Sequence, residues 1–201
     1  MKDGIQVIIR PASLNDVPIM ATMMGEGLDS RLSDLGPWFV RFLHRHMVSS
    51  RYCACLVAET ENSIVGYAAT LLSTKKFYRE FFLKKGIMAG LMILPWLCTP
   101  RNIRTVLNAS VYSNQANQAD PEAELVSIVV QPEARGMGVG QKLYWGVVNE
   151  LTNAGITRLK ISTPKENKIA NEMYIKQGCK YMRSEQFSHD VEVNVYYYQI
   201  L

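Results

Sequence analysis

The sequence has no long apolar run and little net charge, and its first residues do not predict a secretory leader. Its main uncharged apolar stretch runs for twelve residues, from Gly86 to Leu97, whereas a membrane-spanning helix needs about 18 or more. The amino terminus, MKDGIQVIIRP, has one lysine followed by an acid and an apolar run too short for a signal peptide. A net charge of +4 on 201 residues does not call for a nucleic-acid partner. These absences predict a soluble, cytoplasmic protein that does not bind nucleic acid.

Cysteine and histidine are also scarce, and their spacing does not suggest a metal site. Cys53 and Cys55 alternate within an apolar run, so a strand places both on one face. No second cysteine pair follows at zinc-ligand spacing, and the three histidines do not complete a site. We therefore interpret the four cysteines as reduced thiols, with no metal: Cys53, Cys55, Cys98 and Cys179.

The pattern of strands and helices predicts one domain over residues 1–201. With 48% hydrophobic and 20% charged residues, the chain has the composition of an ordinary globular protein. Strands are predicted over Ile5–Ile9, Tyr52–Ala58, Ser63–Leu71, Ala123–Val130, Thr157–Ser162, Cys179–Phe187 and Val191–Ile200. Helices are predicted from a cap at Asn15 or Asp16 through Met24, and over Trp38–Met47, Gly138–Ala154 and Asn167–Gln177. This order predicts an α/β fold whose mixed sheet of about seven strands is flanked by helices.

An insertion of basic and apolar character, about residues 74–118, separates the third and fourth strands. It carries seven basic residues against one acidic residue, Glu80. The apolar run Gly86 to Leu97 lies inside it and is too short to span a bilayer. Three interpretations stay open: a packed helical lid, a surface for a dimer or a substrate, and a contact with a membrane surface through residues 75–104.

The segment ELVSIVVQPEARGMGVG, Glu124 to Gly140, holds the clearest chemical signal. A strand ends at Pro132, and glycines alternate just before a helix begins, which leaves backbone N–H groups free for a phosphate. A P-loop would require Gly-Lys-Ser/Thr, but Gly140 is followed by Gln141 and Lys142. The dinucleotide pattern fails as well, because its third glycine would fall on Gln141. A phosphate site and a glycine-rich turn without a ligand both remain open from this loop alone.

A second motif follows, and with it the sequence resembles the GNAT acetyltransferase superfamily. The first match is Val130-Gln131-Pro132 with Arg135, Gly138 and Gly140; the second is Asn167, Ala170, Tyr174 and Gly178. Cys179 stands where the family usually has an aromatic residue. The two motifs cover roughly residues 122–181, and the insertion lies outside them. The resemblance implies a GNAT-like fold, and the insertion between strands 3 and 4 is predicted from its own residues to be helical.

The resemblance also implies that the chain binds acetyl-CoA. Its pyrophosphate would lie on the loop residues Arg135, Gly136, Met137, Gly138, Val139 and Gly140. The pantetheine arm would pair with the main chain near Ile128, Val129 and Val130, as an added strand does. Asn167 would contact the cofactor, although it could equally cap a helix.

For catalysis, the resemblance assigns Tyr174 as the acid that protonates the leaving thiolate; a packed aromatic on a helix face is the alternative. Glu124 is the candidate base, with a solvated charge at a strand end as the alternative. Ser162 occupies the position at which some relatives carry a base, and Glu166 and His189 are weaker candidates.

Together these features predict an N-acetyltransferase that acts on a primary amine by direct attack in a ternary complex. The acceptor is a small molecule, for instance an amino-sugar, or a peptide. Two alternatives remain, a non-catalytic CoA-binding sensor or scaffold module and an acyltransferase that uses a longer acyl-CoA. The apolar insertion is also compatible with a homodimer.

Overall fold

The computed structural model describes residues 6–27, 36–61, 63–97, 120–188 and 191–200, without the side chains of residues 26, 27, 93–97 and 188. Its strands are β1 (Ile8–Pro11), β2 (Cys53–Glu59), β3 (Ile64–Leu71), β4 (Ala123–Val130), β5 (Arg158–Pro164), β6 (Lys180–Ser188) and β7 (Val191–Gln199). Its helices are α1 (Val17–Gly27), α2 (Pro37–Ser49), α3 (Thr74–Leu97), α4 (Val139–Asn153) and α5 (Lys168–Lys176). Short 3₁₀ turns precede α1 (Leu14–Asp16) and α4 (Pro132–Ala134).

The seven strands form one mixed sheet, as predicted. Its order is β1-β2-β3-β4-β5-β7-β6. Only β4 and β5 run parallel, joined by the crossover helix α4, and every other neighbouring pair is antiparallel. In the last hairpin, β7 pairs with both β5 and β6, so β7 lies between them and β6 forms the edge of the sheet.

Helices cover both faces of the sheet, and each face has its own apolar core. The core beneath α4 and α5 contains Leu143 and Tyr144 from α4 and Tyr174 from α5. The core on the opposite face lies beneath α1 and α2 and contains Met20 and Met47. Both clusters are lined by alternate residues of the central strands, which is the arrangement expected for strands buried on two sides.

Strand β4 contains a β-bulge, and beyond it the odd- and even-numbered side chains exchange sides of the sheet. Ala69 pairs with Ser127 and Thr70 pairs with Leu125, so Val126 is the extra residue. Before the bulge, Leu125 lies in the core beneath α4. After it, Val129 lies in the core beneath α1 and α2, although both positions are odd-numbered. The bulge therefore determines which residues of β4 face each layer.

Two predictions near the amino terminus were wrong in detail. The first strand is β1, Ile8–Pro11, which is shifted from the predicted Ile5–Ile9, and residue 5 lies outside the described residues. Neither Asn15 nor Asp16 is the first cap, because Ser13 precedes the 3₁₀ turn. The Asp16 carboxylate lies inside that turn, where it accepts hydrogen bonds from the Ser13 N–H (2.6 Å) and from Arg10 (2.8 Å).

The described part of the insertion is a single helix, α3, which has 24 residues. The buried rings Phe77 and Phe81 lie on its inner side, and Phe81 packs against Phe39 and Phe42 of α2. Within the described ranges, no helix is long and apolar enough to cross a bilayer. Residues 98–118 of the insertion, including Cys98, lie outside the described residues.

Candidate active site

The parallel strands β4 and β5 separate partway along their length. They pair at only three positions, the last of which joins Leu125 to Ile161. Strand β4 continues to Val130 and β5 to Pro164, so each has a main-chain edge without a strand partner beyond that point. The separation begins at the bulge residue Val126. Unpaired main-chain groups of this kind can bind an extended chain as an added strand.

The glycine-rich turn lies at the open end of this gap. Gly136 and Gly138 have φ angles of 78° and 75°, a left-handed conformation that side chains with a Cβ disfavour. Gly138 is the residue that caps α4. The N–H groups of the first helical turn, starting at Val139, have no acceptor within the helix. Together with the positive end of the helix dipole, these groups suit an anionic ligand.

Three elements converge at this turn. The Arg135 Nε donates a hydrogen bond to the main-chain carbonyl of Val130 at 3.3 Å, which ties the turn to the end of β4. A methyl group added at Gly140 would lie 3.6 Å from the sulfur of Met173 in α5 and 3.8 Å from Val130. The structure thus brings the predicted loop residues 135–140 next to the predicted strand residues Ile128, Val129 and Val130.

Tyr174 lies on the α4 side of the sheet, in a cluster of aromatic rings. Its ring centroid is 6.0 Å from that of Tyr144 and 6.3 Å from that of Tyr196. Burial raises the pKa of the Tyr174 hydroxyl, and the neighbouring Cys179 thiol adds to the shift. Within the described part of the chain, this hydroxyl forms no hydrogen bond. The Tyr174 hydroxyl is therefore protonated, and its O–H group is available to donate to a ligand.

Glu124 lies on the other face of the sheet. Its neighbours Ala123 and Leu125 point into the core beneath α4, so the Glu124 side chain points away from that core. Burial raises the pKa of this carboxyl above its ordinary value of 4.5; the Lys160 ammonium lowers it, and the carboxylates of Asp120 and Glu185 raise it. A carboxyl with a raised pKa is a stronger base at neutral pH.

A network of charged groups beside Glu124 was not predicted from the sequence. Asp120 accepts hydrogen bonds from Arg183 at 2.9 Å and 3.0 Å and from the Tyr197 hydroxyl. Lys160, the cross-strand partner of Glu124, lies 3.0 Å from Asp120. Burial disfavours the Lys160 charge, but the Glu124 and Asp120 carboxylates raise the pKa of its ammonium overall. Lys160 therefore remains a cation between two carboxyl groups.

Two asparagines position helix α5. The Asn167 side-chain oxygen accepts a hydrogen bond from the Ala170 N–H at 3.1 Å, which confirms the capping role. The amide nitrogen of Asn171 donates to the Pro164 carbonyl at 2.9 Å, and its oxygen accepts from the Tyr196 hydroxyl at 2.7 Å. These bonds join α5 to the end of β5 and to β7, and so hold one wall of the gap.

The remaining candidate residues lie at positions that do not indicate a catalytic role. Ser162 is half-buried and pairs with Val195 of β7, and Glu166 is exposed in the turn before α5. His189 lies outside the described residues. Cys179 is buried, with its sulfur 3.3 Å from the Tyr144 hydroxyl, so it fills the aromatic position of the motif with a packed thiol. Among the residues that the structure describes, no cluster of three or more potential ligands could hold a metal ion.

The sequence matches the family model described as the acetyltransferase (GNAT) family, over residues 28–179. The chain belongs to this family. The match includes β2 to β5, both motifs, and the helices α2 to α5. No curated protein has a sequence that matches this chain significantly.

Three solved structures share the fold of this GNAT protein, and the similarity covers nearly the whole length of each. The ribosomal-protein-S18-alanine N-acetyltransferase of Escherichia coli has a TM-score of 0.62 at 13% identity, covering 97% of this chain and 94% of the other. An N-acetyltransferase of Staphylococcus aureus Mu50 has a TM-score of 0.63 at 14% identity, covering 98% and 99%. The Salmonella typhimurium protein yncA, whose structure includes its cofactor acetyl-CoA, has a TM-score of 0.56 at 13% identity, covering 97% and 94%. At these identities, the similarity shows the fold alone.

Proposed function

We propose that the protein transfers an acetyl group from acetyl-CoA to a primary amine by direct attack in a ternary complex. The observation that carries this proposal is the unpaired edge of β4 beyond Leu125, next to the glycine turn at the start of α4. A ligand that uses both features needs an extended arm to pair with the edge of β4 and an anionic pyrophosphate to bind the glycine turn. Acetyl-CoA has both, and it supplies the thioester that makes the acyl carbon electrophilic.

The two features divide the binding of acetyl-CoA between them. The backbone N–H groups of residues 135–140 would hold the pyrophosphate, with the Arg135 guanidinium adding positive charge. The main chain of Ile128, Val129 and Val130 would hold the pantetheine arm. Asn167 lies at the start of α5, where its side chain is exposed and its amide nitrogen would be available to the ligand.

Glu124 and Tyr174 would then handle the two protons of the reaction. Glu124 accepts a proton from the acceptor ammonium, so that the neutral nitrogen can form a bond to the thioester carbon. As the carbon–sulfur bond breaks, Tyr174 donates its proton to the departing sulfur. An N–H group of β4 would stabilise the negative charge that develops on the carbonyl oxygen. The nitrogen, once bonded to carbon, loses a second proton, which returns to Tyr174 through solvent. The products are an amide and CoA, and the proton taken by Glu124 is released to solvent.

The acceptor would be an amine on a small molecule, such as an amino-sugar, or on a peptide. The relative from Escherichia coli is named as an N-acetyltransferase of an alanine in a ribosomal protein. A peptide therefore stays one of the two proposed classes of acceptor. The free thiols of Cys53, Cys55 and Cys179 support a reducing compartment, the cytoplasm.

Acetyl-CoA is expected to stabilise the purified protein against heat. At about 100 times its dissociation constant, a ligand that binds only the folded state adds about 2.7 kcal/mol to the free energy of unfolding. For a chain of this length, this corresponds to an increase of roughly 5–10 °C in Tm. A thermal-shift titration with acetyl-CoA measures it directly, and NAD is the control that should have no effect.

The same titration separates the alternatives. Stabilisation by octanoyl-CoA or palmitoyl-CoA that exceeds that by acetyl-CoA would favour a longer acyl group. Stabilisation by acetyl-CoA without turnover in a broad screen of amines would favour a sensor. The absence of any shift with CoA and with acetyl-CoA would contradict the proposed site.

Replacing Arg135 with glutamate is expected to weaken the binding of acetyl-CoA roughly 10- to 100-fold. The change removes a charge-assisted hydrogen bond, worth about 1.5–3 kcal/mol, and places a carboxylate next to the pyrophosphate. Because Arg135 is exposed, the Tm of the unliganded protein should change little. Isothermal titration calorimetry measures the affinity, and the matched control is Arg158→Glu, an exposed residue at the far end of β5. An unchanged affinity in Arg135→Glu would show that the pyrophosphate lies elsewhere.

A further inference from the structure

Helix α3 has two apolar sides, of which only one packs against the protein. On the inner side, Phe77 and Phe81 are 2% and 7% exposed. On the outer side, Leu83, Ile87 and Leu91 follow one another at intervals of four residues, which aligns them along the helix. These three side chains are 76%, 87% and 65% exposed. The outer side is therefore an apolar stripe about 12 Å long, with no partner within the described part of the chain.

The stripe is bordered by positive charge. Five basic residues lie in the first half of α3: Lys75, Lys76, Arg79, Lys84 and Lys85. The one acidic residue of the helix, Glu80, is engaged by Lys84 at 2.7 Å and by the Ser50 hydroxyl. From Gly86 to Leu97, the helix carries no charged residue at all. Exposed leucine and isoleucine side chains thus stand directly beyond a cluster of cations.

The positive charge beside the stripe indicates which kind of partner can bind this surface. In a two-fold dimer that buries the stripe, each residue near the axis meets its own copy. Lys84 is three residues before Ile87, at the centre of the stripe, and so lies next to it on the helix surface; a dimer would bring its ammonium group close to the same group of the second copy. An anionic lipid surface instead offers negative headgroups to the lysines and acyl chains to the stripe. Lysine stems can extend along the apolar surface while their ammonium groups reach the headgroups.

We propose that α3 binds the surface of an anionic lipid membrane through the stripe Leu83, Ile87 and Leu91, with its basic residues at the level of the headgroups. The helix lies in the interface and does not cross the bilayer. This places the acetyltransferase site at a membrane surface, where lipid-linked or membrane-bound amines are accessible to it. The binding is independent of the acetyl-CoA site, so either proposal can fail without the other.

Sedimentation with vesicles tests the proposal. The full-length protein is expected to sediment with phosphatidylcholine vesicles that contain phosphatidylserine, weakly or not at all with phosphatidylcholine alone, and less as salt increases. Each basic residue near an anionic surface contributes about five-fold to partitioning, so Lys75→Gln with Lys76→Gln should weaken binding about 25-fold. Ile87→Ser should weaken it roughly ten-fold by removing apolar contact with the acyl layer.

The controls separate this surface from general electrostatic attraction and from self-association. Arg158→Gln with Lys180→Gln removes two exposed charges outside α3 and should leave vesicle binding unchanged. Circular dichroism and the Tm of the unliganded protein show whether each variant is folded. The proposal is overturned if the unsubstituted protein does not bind anionic vesicles, or if the control pair loses as much binding as the α3 pair. It is also overturned if Ile87→Ser converts a dimer to a monomer in analytical ultracentrifugation without changing vesicle binding.

Discussion

Replacing Tyr174 with phenylalanine is expected to lower kcat by roughly 100- to 10,000-fold, the usual contribution of a general acid, while the affinity for acetyl-CoA stays within about two-fold. The change removes only a hydroxyl group that forms no hydrogen bond within the described part of the chain. The ring keeps its packing against Tyr144 and Tyr196, so Tm should not fall. Steady-state kinetics and calorimetry on the same preparation provide the two measurements.

A matched variant shows whether the effect belongs to the acid or to the aromatic cluster. Tyr198 of β7 lies in the same cluster, with its ring 5.8 Å from that of Tyr144, and it packs against Trp145 of α4. Tyr198→Phe should leave kcat close to that of the parent. If Tyr174→Phe retained full turnover, the tyrosine would have no role in protonating the thiolate, and its burial would be explained by packing alone.

Replacing Glu124 with glutamine is expected to have a comparable effect on activity, a loss of roughly 100- to 10,000-fold in kcat/KM. Glutamine preserves the shape of the side chain but cannot accept the ammonium proton. In the parent, activity should rise with pH through the raised pKa of Glu124, whereas the variant should lose that dependence. A pH–rate profile measures both, and Glu61→Gln, at an exposed position between β2 and β3, is the control.

The same substitution should act on stability in the opposite direction. Because burial raises the pKa of Glu124 above 4.5, the folded protein holds this proton more tightly than the unfolded chain does. The parent therefore loses stability as pH rises above the ordinary carboxyl pKa, and the loss is complete once pH exceeds the raised value. The glutamine variant lacks this loss, so at neutral pH its Tm should equal or exceed that of the parent. Lys160 keeps a partner in Asp120 at 3.0 Å. A large fall in Tm would instead identify Glu124 as a structural residue.

Local signals explain why parts of the site could be predicted from the sequence. The glycines before α4 and Gly178 after α5 take positive φ angles, which few other residues favour. Asn167 caps α5 through its own side chain. Each of these features depends on residues only a few positions apart, and the sequence shows them directly.

The rest depends on strand pairing between distant segments. Asp120 and Arg183 are 63 positions apart, and they meet only because β7 lies between β5 and β6. Nothing in the local sequence of the last hairpin indicates which of its strands will pair with β5. The bulge at Val126 is equally hidden, since the run of apolar residues in β4 fits a regular strand as well as a bulged one. The outer stripe of α3 was hidden for a related reason: an apolar residue on a helix does not show which side the protein will cover.

The bulge in β4 also has a consequence for how this site can change over evolutionary time. Because one extra residue reverses the facing of every side chain that follows it, deleting or inserting a single residue between Ala123 and Val130 would turn Ile128 and Val130 away from α4. Substituting their side chains would have a smaller effect, since the proposed ligand uses their main chain. Selection on such a strand would act on its length more than on its residue types, which is compatible with a fold that solved structures share at only 13% to 16% identity.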